Sequence, residues 1–141
     1  MNEADQISKE IAERLMQTDY FSQWMGIEII EVREHYSKVK MTLRKEMMNG
    51  FGIAHGGISF SLADSAFAYA CNSDGKITVA LDVSISFPKA AKEGDLLTAE
   101  AKQVSSTRRT ALYLIEVRDQ HHHLVALFKG TCYKTLKPLF E

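Results

Sequence analysis

The chain has 141 residues, 45% hydrophobic and 25% charged, the composition of one globular domain. Seventeen Lys and Arg against eighteen Asp and Glu leave a formal charge of −1, without the basic excess of a general nucleic-acid binder. The N-terminus MNEADQISKEIAERL lacks the basic-then-apolar pattern of a signal peptide, and no apolar run approaches the roughly 20 residues of a membrane span. Cys71 and Cys132 lie inside apolar runs and read as reduced, buried thiols. A cytoplasmic domain with neither a nucleic-acid nor a membrane partner is expected.

In chain order, Ile7, Ile11 and Leu15 fall at helical spacing among charges, which predicts an amphipathic helix over residues 4–20. Phe21, Trp24 and Met25 form an apolar cluster before Gly26. Strands are expected over residues 27–32 and 39–43, joined by a hairpin through residues 34–36. In the second, Lys38, Lys40, Thr42 and Arg44 alternate with Val39, Met41 and Leu43, so one face is wet. A Gly-rich loop fills residues 49–57. Residues 58–73 then read as a helix that is apolar all round and therefore expected to be buried on all sides. Asn72-Ser73-Asp74-Gly75 stops it. Four further strands are expected over residues 77–87, 96–104, 110–117 and 124–133. Strands grouped on either side of one buried helix suggest an antiparallel α+β fold, a curved sheet wrapped around that helix.

Asp64 sits in the middle of the apolar helix. An ionised carboxylate there must be paired, protonated or beside a wet cavity. It is either a structural aspartate, capped or at a subunit interface, or a catalytic one. His55-Gly56-Gly57 stands where the helix starts. The first N–H groups of a helix lack internal acceptors and lie at the positive end of its dipole, and two glycines let a ligand oxygen approach them. Such donors stabilise a developing oxyanion; the plainer alternative is a tight loop-to-helix turn. Gly56 and Asp64 are eight positions apart, about 12 Å along one helix, so one carbonyl cannot meet both within a single chain. A site shared between two subunits removes the difficulty.

Other patterns are excluded. Gly50-x-Gly52 lacks the third glycine of a dinucleotide loop, because position 55 is His55. Neither a Walker loop nor a Gly-x-Ser-x-Gly elbow occurs. His121-His122-His123 lacks spaced Cys or carboxylate partners for a metal and reads as a polar hairpin turn.

The string NGFGIAHGGISFSLADSAFAYACNS, residues 49–73, resembles the signature of the PaaI-type acyl-CoA thioesterases of the hotdog fold, associated with phenylacetate degradation. The resemblance runs from Trp24 to Tyr133 and includes Gly94-Asp95 and the strand ending Gly130-Thr131. It implies a six-stranded antiparallel sheet around a long central helix, a homodimer with a continuous sheet, and usually a homotetramer. The layout expected is one domain over residues 1–141, with an N-terminal helix over 1–22 and the hotdog core over 23–134.

By motif position, Asp64 matches the family's catalytic carboxylate, acting as nucleophile or as general base. Gly56, with Gly57 beside it, matches the donor that polarises the thioester carbonyl, and Asn49 and His55 match loop residues lining the site. Ser65 follows the aspartate where threonine is also seen, and is placed among the substrate-binding residues. Phe60 and Phe67 are expected to wall the acyl pocket. Lys89, Arg108 and Arg109 are expected to meet CoA phosphates. The activity implied is hydrolysis of an aryl- or hydroxyaryl-acyl-CoA without metal or other cofactor. The alternative is a non-catalytic acyl-CoA-binding regulatory module on the same fold. The N-terminal helix either caps the site or serves packing alone.

Overall fold

The computed structural model describes residues 1–140. Helix α1 spans Glu3–Met16 and opens on Asn2, whose side chain accepts from Asp5 N–H at 2.8 Å. Its inward face takes in Ile11 and Leu15 of the expected stripe but is centred on Ser8 and Ala12, with Ile7 turned out. Ser8 and Ala12 are buried, Ile11 and Leu15 half-buried, and Ile7 is exposed. Ser8 Oγ donates to the Ser73 carbonyl at 2.8 Å, so a hydroxyl joins the apolar contacts of Ala12 and Leu15 on the inward face.

The single helix expected through residue 20 breaks at Gln17. Asp19 caps a separate short helix, α2, over Tyr20–Met25, which ends on Gly26 at φ 78°. The boundary expected between residues 22 and 23 therefore falls inside α2.

Six strands follow the expected order, β1 and β3 shifted by one residue and the other four longer than expected: β1 Glu28–Arg33, β2 Tyr36–Thr42, β3 Lys76–Ser86, β4 Leu96–Ser106, β5 Thr110–Arg118 and β6 Leu124–Pro138. All pairings are antiparallel, in the order β1-β2-β4-β5-β6-β3. The long helix α3 covers Gly56–Cys71 and lies against the sheet.

Helical periodicity puts Leu62, Ala63, Ala66, Phe67 and Ala70 inward, all of them buried. They meet Val39 and Met41 of β2, Leu97, Ala99 and Ala101 of β4, Tyr113, Ile115 and Val117 of β5, and Ala126 and Phe128 of β6. Small residues let the helix seat closely, and three rings fill what remains: Phe67 lies 5.6 Å from Tyr113 and 5.8 Å from Phe128 between centroids. Ser37 Oγ, fully buried, donates to the Ala66 carbonyl at 2.6 Å and ties sheet to helix.

The helix is not covered on all sides, as its composition suggests. Gly57, Asp64 and Ala68 are exposed and Ser61 is half-exposed, a stripe of small residues along one face. Strand β3 is a sheet edge whose outer side has no strand partner among the described residues, with Leu81 59% exposed.

Gly130 of β6 faces Phe67: a Cβ there would stand 2.8 Å from two ring carbons. Gly130→Ala is expected to overpack the core at a cost of about 1–3 kcal/mol. The urea midpoint measures it, and an unchanged midpoint would contradict the tight ring-on-backbone contact.

Candidate active site

The loop before α3 is built by its own hydrogen bonds. Asn49 Oδ1 accepts from Phe51 N–H at 2.9 Å and Ile53 N–H at 3.3 Å, while Asn49 N–H donates to the Ile53 carbonyl at 2.7 Å. Ala54 N–H donates to Ala91 at 2.7 Å and His55 N–H to Met47 at 2.9 Å, pinning the loop to neighbouring segments. His55 is the N-cap: its Nδ1 accepts from Gly57 N–H at 3.1 Å, so the neutral ring carries its proton on Nε2.

This divides the glycine pair. Gly57 spends its N–H on the cap, whereas Gly56 N–H has no hydrogen-bond partner among the described residues. Gly56 lines a cavity of about 280 Å³ with Asn49, Ile53, Ser59, Phe87 and Lys89. A Cβ on Gly56 would lie 3.3 Å from the Phe87 ring, so glycine keeps both the ring and the free donor in place. Phe87 was not among the residues expected at the site. Its position just before Pro88, at the end of β3, is the signal that marks it.

Asp64 stands two turns along α3, on the open face. Its carboxylate reaches solvent on one side, yet the flanking atoms desolvate it. Burial, with the charge of Asp19 second, raises its pKa above the usual carboxylate value. No Lys or Arg forms an ion pair with it among the described residues.

The remaining expected residues separate. Lys89 borders the cavity, but its Nζ is engaged by Asp119 Oδ2 at 3.1 Å and His123 Nδ1 at 2.7 Å. Asp119 also accepts from the N–H groups of His121 and His123, at 2.9 and 3.0 Å, so the three histidines belong to the turn between β5 and β6. Phe67 is a core residue and Phe60 packs its ring 5.3 Å from Phe128, so Phe67 is not a pocket wall within this chain. Ser65 is buried with its Oγ 2.8 Å from Ser22 Oγ, directed at α2.

Arg108 and Arg109 occupy the β4–β5 turn, at the end of the sheet where α3 terminates. At about 3.3 Å per residue, the nine residues of β5 put that end roughly 30 Å from Lys89. One chain cannot bring these arginines to its own Gly56.

A free donor heading α3, beside an apolar cavity, with a partly desolvated carboxylate on the same helix, is an arrangement that suits acyl-transfer chemistry. The Thioesterase superfamily profile matches residues 51–126. The chain belongs to that superfamily and has its hotdog fold. Acyl-coenzyme A thioesterase PaaI of Escherichia coli is 41% identical over 123 residues, 87% of this chain and 88% of that one. The solved E. coli PaaI protein from the phenylacetic acid degradation operon matches at a TM-score of 0.94 and 37% identity, over 96% of this chain and 98% of that one. A Streptococcus mutans protein solved with acetyl CoA matches at a TM-score of 0.75 and 28% identity, over 77% of this chain and 88% of that one. The protein is a thioester hydrolase.

A raised pKa means that the folded state binds the Asp64 proton more tightly than the unfolded chain does. Ionised Asp64 therefore costs stability in full above its folded pKa, and the cost vanishes below the unfolded value of about 3.9. Asp64→Asn is expected to melt higher than the parent at pH 7, with the gap closing as pH falls toward 4. Melting curves across pH test this; a lower melting temperature for the variant at pH 7 would contradict it.

Proposed function

We propose that the protein hydrolyses acyl-CoA thioesters with an aryl or hydroxyaryl acyl group, such as phenylacetyl-CoA, to the free acid and CoA. The observation that carries the chemistry is the partnerless Gly56 N–H at the head of α3, over a cavity walled by Ile53, Phe87 and Val125. The thioester carbonyl accepts from that N–H, and the positive end of the helix dipole favours the oxyanion that forms. Asp64 either adds to the carbonyl carbon itself or takes the proton of an attacking water. In both routes the C–S bond breaks and CoA leaves as its thiol. Water is the sole co-reactant, so the chemistry calls for neither a metal nor a redox cofactor. Asn49 and His55 hold the loop that presents the donor, and Gly57 serves the cap.

The aryl preference rests on similarity to the E. coli protein and on the aromatic and aliphatic cavity walls. A cytoplasmic location agrees with two free, buried cysteines, Cys71 and Cys132.

Two copies make the site. The carboxylate and the donor of one helix are separated by about 12 Å, and β3 offers an open edge beside the exposed stripe of α3. Antiparallel pairing of two β3 edges about a twofold axis runs the two α3 helices in opposite directions. The Asp64 of one copy then approaches the Gly56 of the other. The same symmetry carries the second copy's Arg108–Arg109 turn toward the end where Lys89 and the cavity lie, which gives all three basic residues a route to the CoA phosphates. A homotetramer follows if two such dimers associate.

Thiol release from phenylacetyl-CoA, compared with short- and long-chain acyl-CoAs, tests the substrate class. Asp64→Asn is expected to remain folded and dimeric and to lose at least about 10²-fold in turnover; near-parental turnover would remove Asp64 from the mechanism. Tight binding of the thioester without thiol release by the parent protein would mark a binding module instead. Leu81→Lys is expected to place a charge on the open β3 edge, give single chains in sedimentation, and abolish turnover with them. A fully active monomer would overturn the shared site.

A further inference from the structure

The break between α1 and α2 holds a second carboxylate beside the site. Asp19 accepts from Ser22 N–H at 3.1 Å and from Ser22 Oγ at 2.7 Å, and Tyr69 of α3 donates its hydroxyl to Asp19 Oδ2 at 3.0 Å. Ser22 Oγ continues the chain to Ser65 Oγ at 2.8 Å, and Ser65 is the residue after Asp64. A helix cap needs a single acceptor, and asparagine or serine supplies it as well as aspartate does. Here an ionisable residue collects three donors, two of them hydroxyls, and no Lys or Arg is ion-paired with it among the described residues. Its charge is held in a fixed place, uncancelled, within electrostatic reach of Asp64.

We propose that Asp19 is a positioning residue for Asp64, acting through its charge and through the Ser22–Ser65 bond, so that the N-terminal segment is part of the catalytic unit. A fixed negative charge nearby disfavours ionisation of Asp64, and the carboxylate that does form is a better base and nucleophile. After burial, Asp19 is the remaining contributor to the raised pKa of Asp64.

The other titratable groups nearby do not supply this effect. Tyr69 and Tyr113 are pushed up by burial first and stay protonated, Tyr69 as the donor to Asp19. Cys71, on the same helix, is held as the thiol by its contact with Cys132 and by burial. Lys38, Lys40, Glu100 and Lys102 alternate with the buried residues of β2 and β4 and so lie on the sheet's outer face, while Asp82 is exposed on β3.

The inference rests on Asp64 being the reacting carboxylate. Its test is the pH dependence of kcat/KM for thioester hydrolysis by full-length Asp19→Asn, with Asp19→Ser as a second neutral residue that also caps a helix. In either variant the acid limb is expected to move down by about half a pH unit or more. At neutral pH kcat is expected to fall several-fold with KM little changed, and Asp19→Glu is expected to restore the limb. An acid limb left in place in a folded neutral variant overturns the proposal, even where kcat falls, because a purely structural role would not distinguish charge. Parental turnover by Asp64→Asn would instead overturn the reading of Asp64 itself. An inactive Asp64→Asn together with an unmoved limb in Asp19→Asn removes Asp19 alone.

Discussion

The structure depends on seating one apolar helix against the face of a six-stranded antiparallel sheet. Large rings and missing side chains make this possible together. Phe67 rests over the backbone of Gly130, while Ala63, Ala66 and Ala70 on the helix and Ala99, Ala101 and Ala126 on the sheet bring the two surfaces close. The same packing aims the chemistry. With Ala63, Ala66, Phe67 and Ala70 turned inward at helical spacing, Asp64 and Ala68 must turn outward. Asp64, the sole charged residue of α3, is thereby held at a set depth, half desolvated and open on one side.

At the start of the helix, adjacent glycines differ in their hydrogen bonding. His55 satisfies Gly57 and closes the loop, which leaves Gly56 as a donor without an acceptor among the described residues. An unpaired donor beside an apolar cavity costs free energy, and on the proposed function an oxyanion would relieve that cost. Rigid loop bonds from Asn49 and the anchor to Ala91 keep it from relaxing toward another partner. The carboxylate is destabilised in a similar way, by burial and by a like charge.

The N-terminal segment joins these two themes. Its second helix begins on a carboxylate whose hydroxyl partners include a tyrosine of α3, and its Ser22 meets the residue beside Asp64. Packing of α1 through Ser8 and Ser73 anchors the segment near the far end of the same helix. Residues 1–25 are thus connected to α3 near both Asp64 and its C-terminus by hydroxyls, in addition to the apolar packing of Ala12, Leu15, Met16 and Met25.

Much was legible along the chain itself. The alternation of Val39 and Met41 with lysines and the uniformly apolar run around Asp64 express local periods, which depend on near neighbours and so survive without a fold. Asp64, Gly56 and His55 stood out because a carboxylate in an apolar helix and glycines at a helix start are unusual locally. What the tertiary structure alone decided is which way each side chain faces and which end of the sheet it joins. Phe67 turned into the core, Ser65 toward Ser22, and Arg108 and Arg109 to the end away from Gly56, while Phe87 came against Gly56 and Asp19 against Tyr69 of α3 from distant segments. Those outcomes follow from strand register and from the seating of α3, long-range terms that no window of sequence contains.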